Sequence, residues 1–183
     1  MKIEKEAKIA VPTLNPIMAE LRRIGASLLQ EVQETDLYLQ GTDHPLKRGC
    51  ALRLRRQTGP HGEKAFLTFK GPKQKKRFKT RFEAETQVGD FQSAQKIFSE
   101  LGFAPTITVR KKRQIWTWKR CQICLDRVPP LGCFVEVEAP TEKEIESALR
   151  KLSLQKEHLI SEGYAKLLAK ALPPQRTRKR AVL

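Results

Sequence analysis

The sequence predicts a mainly β fold (α+β) in which eight antiparallel strands are accompanied by flanking helices. Apolar and polar residues alternate with period two along most of the 183 residues, which is typical of strands. Turn residues separate the alternating segments, and a few segments with helical spacing lie between them. Eight strands that follow one another in sequence can stack as a sandwich or close into a barrel, and a barrel has no exposed edge.

The first half of the chain contains one strand, one helix and four further strands. Residues 2–11 alternate cleanly and predict the first strand. After Pro12 and Thr13, apolar residues follow at three-to-four spacing until Gly25, which predicts a helix that ends there. Further strands are predicted over residues 27–40, 50–58, 63–70 and 77–88, because Gly and Pro mark turns between these segments.

The second half begins with a helix, for which Asp90 is the predicted N-cap and Gly102 the end. Thr141 and Glu144 have the spacing of a capping box, which predicts a helix that runs to about Leu152. Three strands between these helices are predicted over residues 105–118, 120–128 and 133–139.

The C-terminal end of the chain divides into a last helix and a basic tail. Residues 164–171 predict a short helix, and the residues after it include four Lys or Arg and no acid. We therefore expect one folded domain over residues 1–172 and a disordered tail over residues 173–183.

The formal net charge of +16 indicates a protein that binds anions, such as nucleic acid, a membrane surface or a phosphorylated small molecule. Much of the excess lies in residues 47–82, which contain thirteen basic residues and one acid, Glu63. The acids gather elsewhere, so charges of opposite sign are sorted along the chain. Such sorting favours a binding site over an evenly solvated surface.

Other whole classes of protein are disfavoured by the sequence. It contains no apolar run near the roughly 18–20 residues of a membrane span, and its first residues do not form an export signal. We therefore expect a cytoplasmic protein without a membrane span. The four cysteines are predicted to be free thiols, because Cys121 and Cys124 lie on opposite faces of a predicted strand and lack a second ligand pair for zinc.

Charged side chains occupy one face of several predicted strands, while the opposite face is apolar. A single strand of this kind usually has a solvated face, but such faces also carry Ser, Thr, Asn and Gln. Here the polar positions are almost all Glu, Lys or Arg, which fits the inside of a closed barrel where charges are paired or bind a ligand. The predicted set comprises seven carboxylates, Glu4, Glu6, Glu83, Glu85, Asp126, Glu136 and Glu138, and seven cations, Lys8, Arg53, Arg55, Lys70, Arg81, Lys111 and Arg113.

The chemistry of this set indicates a polyphosphate bound together with a divalent metal. Arginine forks and lysine ammonium groups donate many hydrogen bonds to phosphoryl oxygens. Clustered carboxylates hold Mg²⁺ or Mn²⁺, because these hard cations prefer oxygen ligands.

The motif Glu4-x-Glu6-x-Lys8 resembles the ExExK signature of the CYTH superfamily, the triphosphate tunnel metalloenzymes that include class IV adenylate cyclases and thiamine triphosphatases. Further motifs follow in the order of that family from residue 3 to about residue 168. They read LKRGCALRLRR, LTFKGP, KTRFEAE, VRKKRQIW, ICLDRVPPLGCFVEVE and SEGYAKLL. The loop over residues 41–46 departs from the commoner Tyr-Phe-Asp-Thr-Pro type, so we assign no contact to it.

The resemblance implies a closed eight-stranded antiparallel β-barrel that forms a tunnel with a triphosphate along its axis. It also implies a role for each member of the charged set. The implied metal ligands are Glu4, Glu6, Glu136 and Glu138, with Glu83, Glu85 and Asp126 as further ligands for Mg²⁺ or Mn²⁺. The implied substrate-binding residues are Lys8, Arg53, Arg55, Lys70, Arg81, Lys111 and Arg113. The residues to which we assign catalysis are Glu4, Glu6, Lys8 and Lys70.

Some assignments near this set have alternatives. Arg110 and Lys112 form the competing face of the strand that carries Lys111 and Arg113. Trp116 and Trp118 either stack on a nucleotide base or, as we favour, pack in the core.

The motifs favour the class IV adenylate cyclase branch, in which ATP gives cyclic AMP and pyrophosphate. The alternative is a triphosphatase that hydrolyses inorganic triphosphate, thiamine triphosphate or a nucleoside triphosphate. A protein that binds polyphosphate or nucleic acid without catalysis is less well supported, because paired acids repel phosphates when no metal is bound. We expect no specific nucleic-acid partner and favour a homodimer.

Overall fold

A computed structural model describes residues 2–172 of the chain. The basic tail that is predicted to be disordered, residues 173–183, lies outside the described residues. Eight antiparallel strands close into one barrel in the order β1-β5-β4-β3-β2-β6-β7-β8, which confirms the barrel and excludes the sandwich. The strands are β1 (Lys2–Val11), β2 (Ser27–Gly41), β3 (Ala51–Gly59), β4 (Gly62–Lys70), β5 (Lys79–Val88), β6 (Phe103–Trp118), β7 (Cys121–Val128) and β8 (Gly132–Glu138).

The predicted strands agree with the observed ones except at some ends. The strand starts differ most in β6, which begins at Phe103 rather than at residue 105, and in β5, which begins at Lys79 rather than at residue 77. Phe78 is only 1% exposed, and the Gln74 N–H donates to the Thr80 carbonyl at 2.8 Å. The chain before β5 therefore folds back on the barrel instead of continuing the strand.

Four helices pack against the barrel, and the two predicted N-caps are confirmed. The Ser93 N–H donates to Asp90 Oδ1 at 2.6 Å, and the side chains of Thr141 and Glu144 form the predicted capping box. Each cap satisfies backbone N–H groups that a helix start leaves without partners. The helices are α1 (Asn15–Arg23), α2 (Phe91–Glu100), α3 (Glu142–Lys151) and α4 (Tyr164–Ala171).

Most of the hydrophobic core lies outside the barrel, between the strands and the helices. Leu21 of α1 and Ile145 of α3 are fully buried against the outward side chains of β1, β7 and β8. Trp116 and Trp118 belong to this outer core, and Trp118 Nε1 donates to the Ile24 carbonyl at 3.2 Å. Neither tryptophan lines the barrel interior, which supports the packing interpretation over base stacking.

Helix α4 closes one end of the barrel. Its residues Tyr164 and Leu168 pack on Val109, Val128 and Phe134, whose side chains point inward at that end. Apolar side chains therefore seal this end, and charged side chains occupy most of the rest of the barrel interior.

The four cysteines are free, as predicted, and Cys121 and Cys124 lie on opposite faces of β7. Cys121 joins the outer core, whereas Cys124 packs inside the barrel with Val32 and Ile115. Burial raises the pKa of the Cys124 thiol well above its usual value. Among residues 2–172, no helix has the length and apolar character that crossing a membrane requires.

Candidate functional site

The barrel encloses a cavity of about 120 Å³ that is lined mainly by charged side chains and is called the tunnel below. A cavity of this volume is equivalent to about four water molecules, because each water molecule in the liquid occupies about 30 Å³. Ion pairs, most of them between neighbouring strands, fill the rest of the interior. A triphosphate can therefore enter only if these side chains exchange their protein partners for the ligand.

The structure places all fourteen predicted site residues on the inner side of the barrel. Twelve are buried, and two are more accessible: Glu138 is half-buried, and the Glu85 side chain is 41% exposed at the edge. Lys111 and Arg113 point inward while Arg110 and Lys112 are exposed, which decides between the two possible faces of β6.

Three of the predicted metal ligands form one group. Strand β1 pairs with β8, where Glu6 lies opposite Glu138. Carboxylate oxygens of Glu4, Glu6 and Glu138 all lie within 4.8 Å of one another. Glu6 Oε1 is buried and has no hydrogen-bond partner within residues 2–172. Lys8 Nζ lies 3.6 Å from this oxygen, beyond hydrogen-bond distance. A buried carboxylate oxygen without a hydrogen bond, beside two further carboxylates, fits a hard divalent cation, so the residues present fit the metal that the sequence predicts.

Cations hold this carboxylate group from the β5 side. Lys70 Nζ and Arg81 Nε each donate to Glu4 at 3.0 Å, and Lys79 Nζ donates to Glu6 Oε2. Burial alone would raise the pKa of Glu4, but the charges of Lys70, Lys79 and Arg81 outweigh it and hold that pKa well below its usual value. Glu4 is therefore ionised at neutral pH.

The other predicted metal ligands are bonded to cations and do not join that group. Glu83 accepts from Lys70 at 2.6 Å, and Glu85 accepts from Arg53 at 3.2 Å. Arg113 binds both Asp126 and Glu136. The role of Glu83, Glu85, Asp126 and Glu136 as metal ligands stays a prediction.

Sequence reasoning missed two acids of the interior, Glu34 and Asp36 on β2, which are 2% and 0% exposed. Arg55 donates to Asp36 through Nε at 2.6 Å and Nη2 at 2.8 Å, and to Glu34 through Nη1 at 3.0 Å. Lys111 Nζ lies 2.6 Å from Glu34 and 3.2 Å from Asp36. These two acids hold Arg55 and Lys111 in place, and their i, i+2 spacing was the signal that could have revealed them.

Lys79 and Tyr164 are further interior residues that were not assigned. Lys79 is 9% exposed and lies opposite Glu6 across the β1–β5 pair. The Tyr164 hydroxyl donates to Asp126 Oδ2 at 2.7 Å, and its ring centre lies 4.0 Å from Lys8 Nζ. The i, i+2 spacing to Arg81 could have revealed Lys79, whereas Tyr164 reaches the interior only because α4 closes the barrel.

The interior carboxylates should make the protein sensitive to acid. Burial would raise the pKa values of Glu34, Asp36 and Glu136, but neighbouring Lys and Arg charges outweigh it and lower all three. Their unfolded values are about 4, so they stabilise the fold fully above that pH and lose this effect as the pH falls through 4 and below. We expect the free energy of unfolding, measured with urea, to be nearly constant from pH 7 to 5.5 and to fall steeply below pH 4. An equal urea midpoint at pH 6 and pH 3 would contradict this.

Comparisons with known proteins agree with the fold and with the order of the motifs. The family model described as CYTH domain matches residues 2–165. A candidate adenylate cyclase of Methanocaldococcus jannaschii is 30% identical over 175 residues, which cover 90% of this chain and 98% of that protein.

Two solved structures illustrate the structural likeness. The PH1819 protein of Pyrococcus horikoshii OT3 is 27% identical, with a TM-score of 0.78 over 92% of this chain and 99% of its own. A Hippeastrum protein, described as a candidate adenylyl cyclase with a dominant triphosphatase activity, is 16% identical with a TM-score of 0.68 over 92% of this chain and 94% of its own. At 16% identity, that second likeness shows the fold alone.

Proposed function

The chain belongs to the CYTH domain family, and we propose that it is a divalent-metal-dependent enzyme that acts on a triphosphate inside its tunnel. One observation carries the proposal: Glu4, Glu6 and Glu138 line the same cavity as eight cations, and Glu6 Oε1 has no hydrogen-bond partner within residues 2–172. The carboxylates alone would repel phosphate, and the cations alone would hold no metal. Their combination supports a metal-bound polyphosphate as the ligand.

The reaction that we propose is that of a class IV adenylate cyclase. The ribose 3′-hydroxyl of ATP attacks the α-phosphorus, a new O–P bond forms, and the bond to pyrophosphate breaks. Support comes from the M. jannaschii relative, a candidate adenylate cyclase that this chain matches over nearly its whole length.

The described residues would act mainly by binding and neutralising charge. A bound divalent cation supplies Lewis-acid stabilisation of charge on the phosphoryl oxygens. Arg53 Nε is buried without a partner inside the described part of the chain, so this donor is available to a phosphoryl oxygen. Burial would lower the pKa of Lys8, but Glu136 and Glu6 outweigh it and raise that pKa. Lys8 therefore binds phosphate as a fixed positive charge rather than accepting a proton.

A triphosphatase is the second candidate, and one feature of the tunnel favours it. Among residues 2–172, the aromatic side chains that line the cavity are Tyr38 and Tyr164, and Tyr164 is bonded to Asp126. The two tryptophans that could have stacked on a base belong to the outer core. Inorganic triphosphate has no base and therefore needs no aromatic side chain to stack on. In its hydrolysis, water is the attacking group.

The experiment incubates the purified protein with ATP, thiamine triphosphate and inorganic triphosphate, each with Mg²⁺ or Mn²⁺, and separates the products by chromatography. Cyclic AMP and pyrophosphate from ATP would establish the cyclase. Orthophosphate without cyclic AMP would establish the triphosphatase, and the best substrate would define its class. Absence of turnover with all three substrates and both metals would refute the proposed function.

A further inference from the structure

The loop between β4 and β5, residues 71–78, holds a lysine beside the tunnel that neither the motifs nor the predicted strands include. The loop is fixed at both ends: the Gly71 N–H donates to the Phe82 carbonyl at 2.9 Å, and the Gln74 N–H donates to the Thr80 carbonyl at 2.8 Å. Phe78, at 1% exposure, anchors it in the core. Lys73 lies between the two backbone contacts, so its position is defined.

The segment before α4, residues 159–163, faces this loop. The Ile160 N–H donates to the Lys8 carbonyl at 2.8 Å, which fixes the segment on β1. Two lysines then bind consecutive carbonyls of the segment: Lys73 Nζ donates to Ser161, and Lys8 Nζ donates to Glu162 at 3.1 Å. Lys73 is thereby placed next to a lysine of the tunnel.

A small cavity of about 70 Å³ connects Lys73 with the tunnel wall. Its lining includes Lys73, Ser161 and three residues that also line the tunnel, Glu6, Lys8 and Lys79. These three residues therefore separate the small cavity from the tunnel. A phosphoryl group bound beside them in the tunnel would lie near Lys73.

The charges around Lys73 differ from those around the tunnel cations. Lys8, Lys70 and Lys79 each contact a carboxylate, whereas the polar partner of Lys73 within residues 2–172 is a neutral carbonyl. Burial lowers the pKa of Lys73 to about 8, and the charges of Lys79, Arg81, Lys8 and Lys166 act in the same direction. Glu6 lines the same small cavity, but it is already bonded to Lys79, and Lys73 itself forms no ion pair with an acid within residues 2–172. A lysine that faces several cations and is bonded to a neutral carbonyl gains most from an anion.

We propose that Lys73 is a further phosphate-binding residue, which releases the Ser161 carbonyl and binds the outermost phosphoryl group of the triphosphate where the small cavity adjoins the tunnel. This inference rests on the proposed function. The exchange replaces a bond to a neutral acceptor by one between opposite charges, which adds Coulomb attraction to the hydrogen bond. It also relieves repulsion, because the phosphoryl group neutralises Lys73 together with Lys8 and Lys79.

The test measures the dissociation constant of inorganic triphosphate by calorimetry at pH 7 in the presence of EDTA, so that neither metal nor turnover contributes. We expect Lys73→Gln to weaken binding about tenfold, as the loss of one hydrogen bond between charged groups does. Lys73→Arg should bind within about twofold of the unchanged protein, since it keeps the charge. Lys75→Gln, the same substitution at another exposed lysine of the same loop, which does not line the small cavity, is the matched control and should also change binding less than about twofold.

A second readout tests whether the charge at position 73 contributes to binding, and Lys75→Gln controls for a general charge effect. At pH 9 most Lys73 side chains in the free protein are neutral, so binding by the unchanged protein should weaken relative to Lys73→Arg, which stays charged. Equal affinities of Lys73→Gln and Lys75→Gln, with tight binding by the unchanged protein, would refute the role of Lys73 and leave the proposed function standing. Failure of the unchanged protein to bind triphosphate in EDTA would overturn the role of Lys73, whereas the proposed function is decided separately by the turnover experiment with Mg²⁺ or Mn²⁺.

Discussion

Replacement of Glu6 by glutamine is expected to lower metal-dependent triphosphate turnover by more than about 100-fold while the barrel stays folded. Changes at partners that only orient a metal ligand already cost about 10–100-fold, so loss of a ligand should cost more. Glu6 carries the buried oxygen that lacks a partner, and it lies between Glu4 and Glu138. Glutamine keeps the shape of the side chain, and its amide oxygen can still accept from Lys79.

The matched control is Glu63→Gln, the same substitution on β4 outside the tunnel. The Glu63 side chain is 45% exposed and lies 3.9 Å from Arg56, so an effect on turnover of less than about twofold is expected. Turnover, Mn²⁺ binding by electron paramagnetic resonance and circular dichroism are compared for the two variants. A folded Glu6→Gln protein that binds Mn²⁺ and turns over triphosphate as the Glu63→Gln control does would refute the assignment of Glu6.

Alternation along the strands was sufficient to predict the strands and the sorting of side chains, whereas the choice of a barrel over a sandwich depended on the charged composition of one face and on the family resemblance. One face of each strand must avoid water under the helices, so apolar residues such as Leu54 and Ile123 mark the outside of this barrel. The charged face is then the inside, and its composition distinguishes a filled barrel from a solvated sheet. The same reasoning predicted that Lys111 and Arg113 point into the barrel. The choice between them and Arg110 and Lys112 depends on the register of β6 with β2 and β7.

Residues whose position depends on packing between distant segments could not be predicted. Tyr164 is one helical residue among many in the sequence, and it meets Asp126 only because α4 covers an open end of the barrel. Lys73 lies in a turn whose path depends on the burial of Phe78. Glu34 and Asp36 could have been predicted from their i, i+2 spacing on β2. Roles were assigned only to charged residues on the other strands.

The missed pair on β2 changes how the tunnel is understood. With Glu34, Asp36 and Lys79 included, the described interior holds nine carboxylates and eight cations, so the empty tunnel is nearly neutral. Each tunnel cation is therefore already engaged before a triphosphate arrives. Substrate binding then depends on how readily the acids release their cations, and Asp36 has contacts to three of them, Arg53, Arg55 and Lys111.

Asp36→Asn is expected to destabilise the protein by about 3–5 kcal/mol, the usual effect of removing one partner from a buried ion pair. Asparagine preserves the shape but leaves Arg55 and Lys111 with Glu34 as the acid that still contacts both. Those cations then have one carboxylate fewer to release before they bind an anion. We therefore expect inorganic triphosphate, added without metal, to raise the melting temperature of Asp36→Asn by more than it raises that of the unchanged protein.

The measurement follows thermal unfolding by circular dichroism with and without triphosphate in EDTA. Asp43→Asn is the matched control, because Asp43 is exposed outside the barrel and the substitution should leave both the stability and the triphosphate effect unchanged. A smaller or equal stabilisation of Asp36→Asn by triphosphate would mean that Asp36 does not compete with the ligand for the tunnel cations. A larger one would mean that the interior acids keep the empty barrel folded and also set the affinity for its anion, so stability and binding are opposed at this one carboxylate.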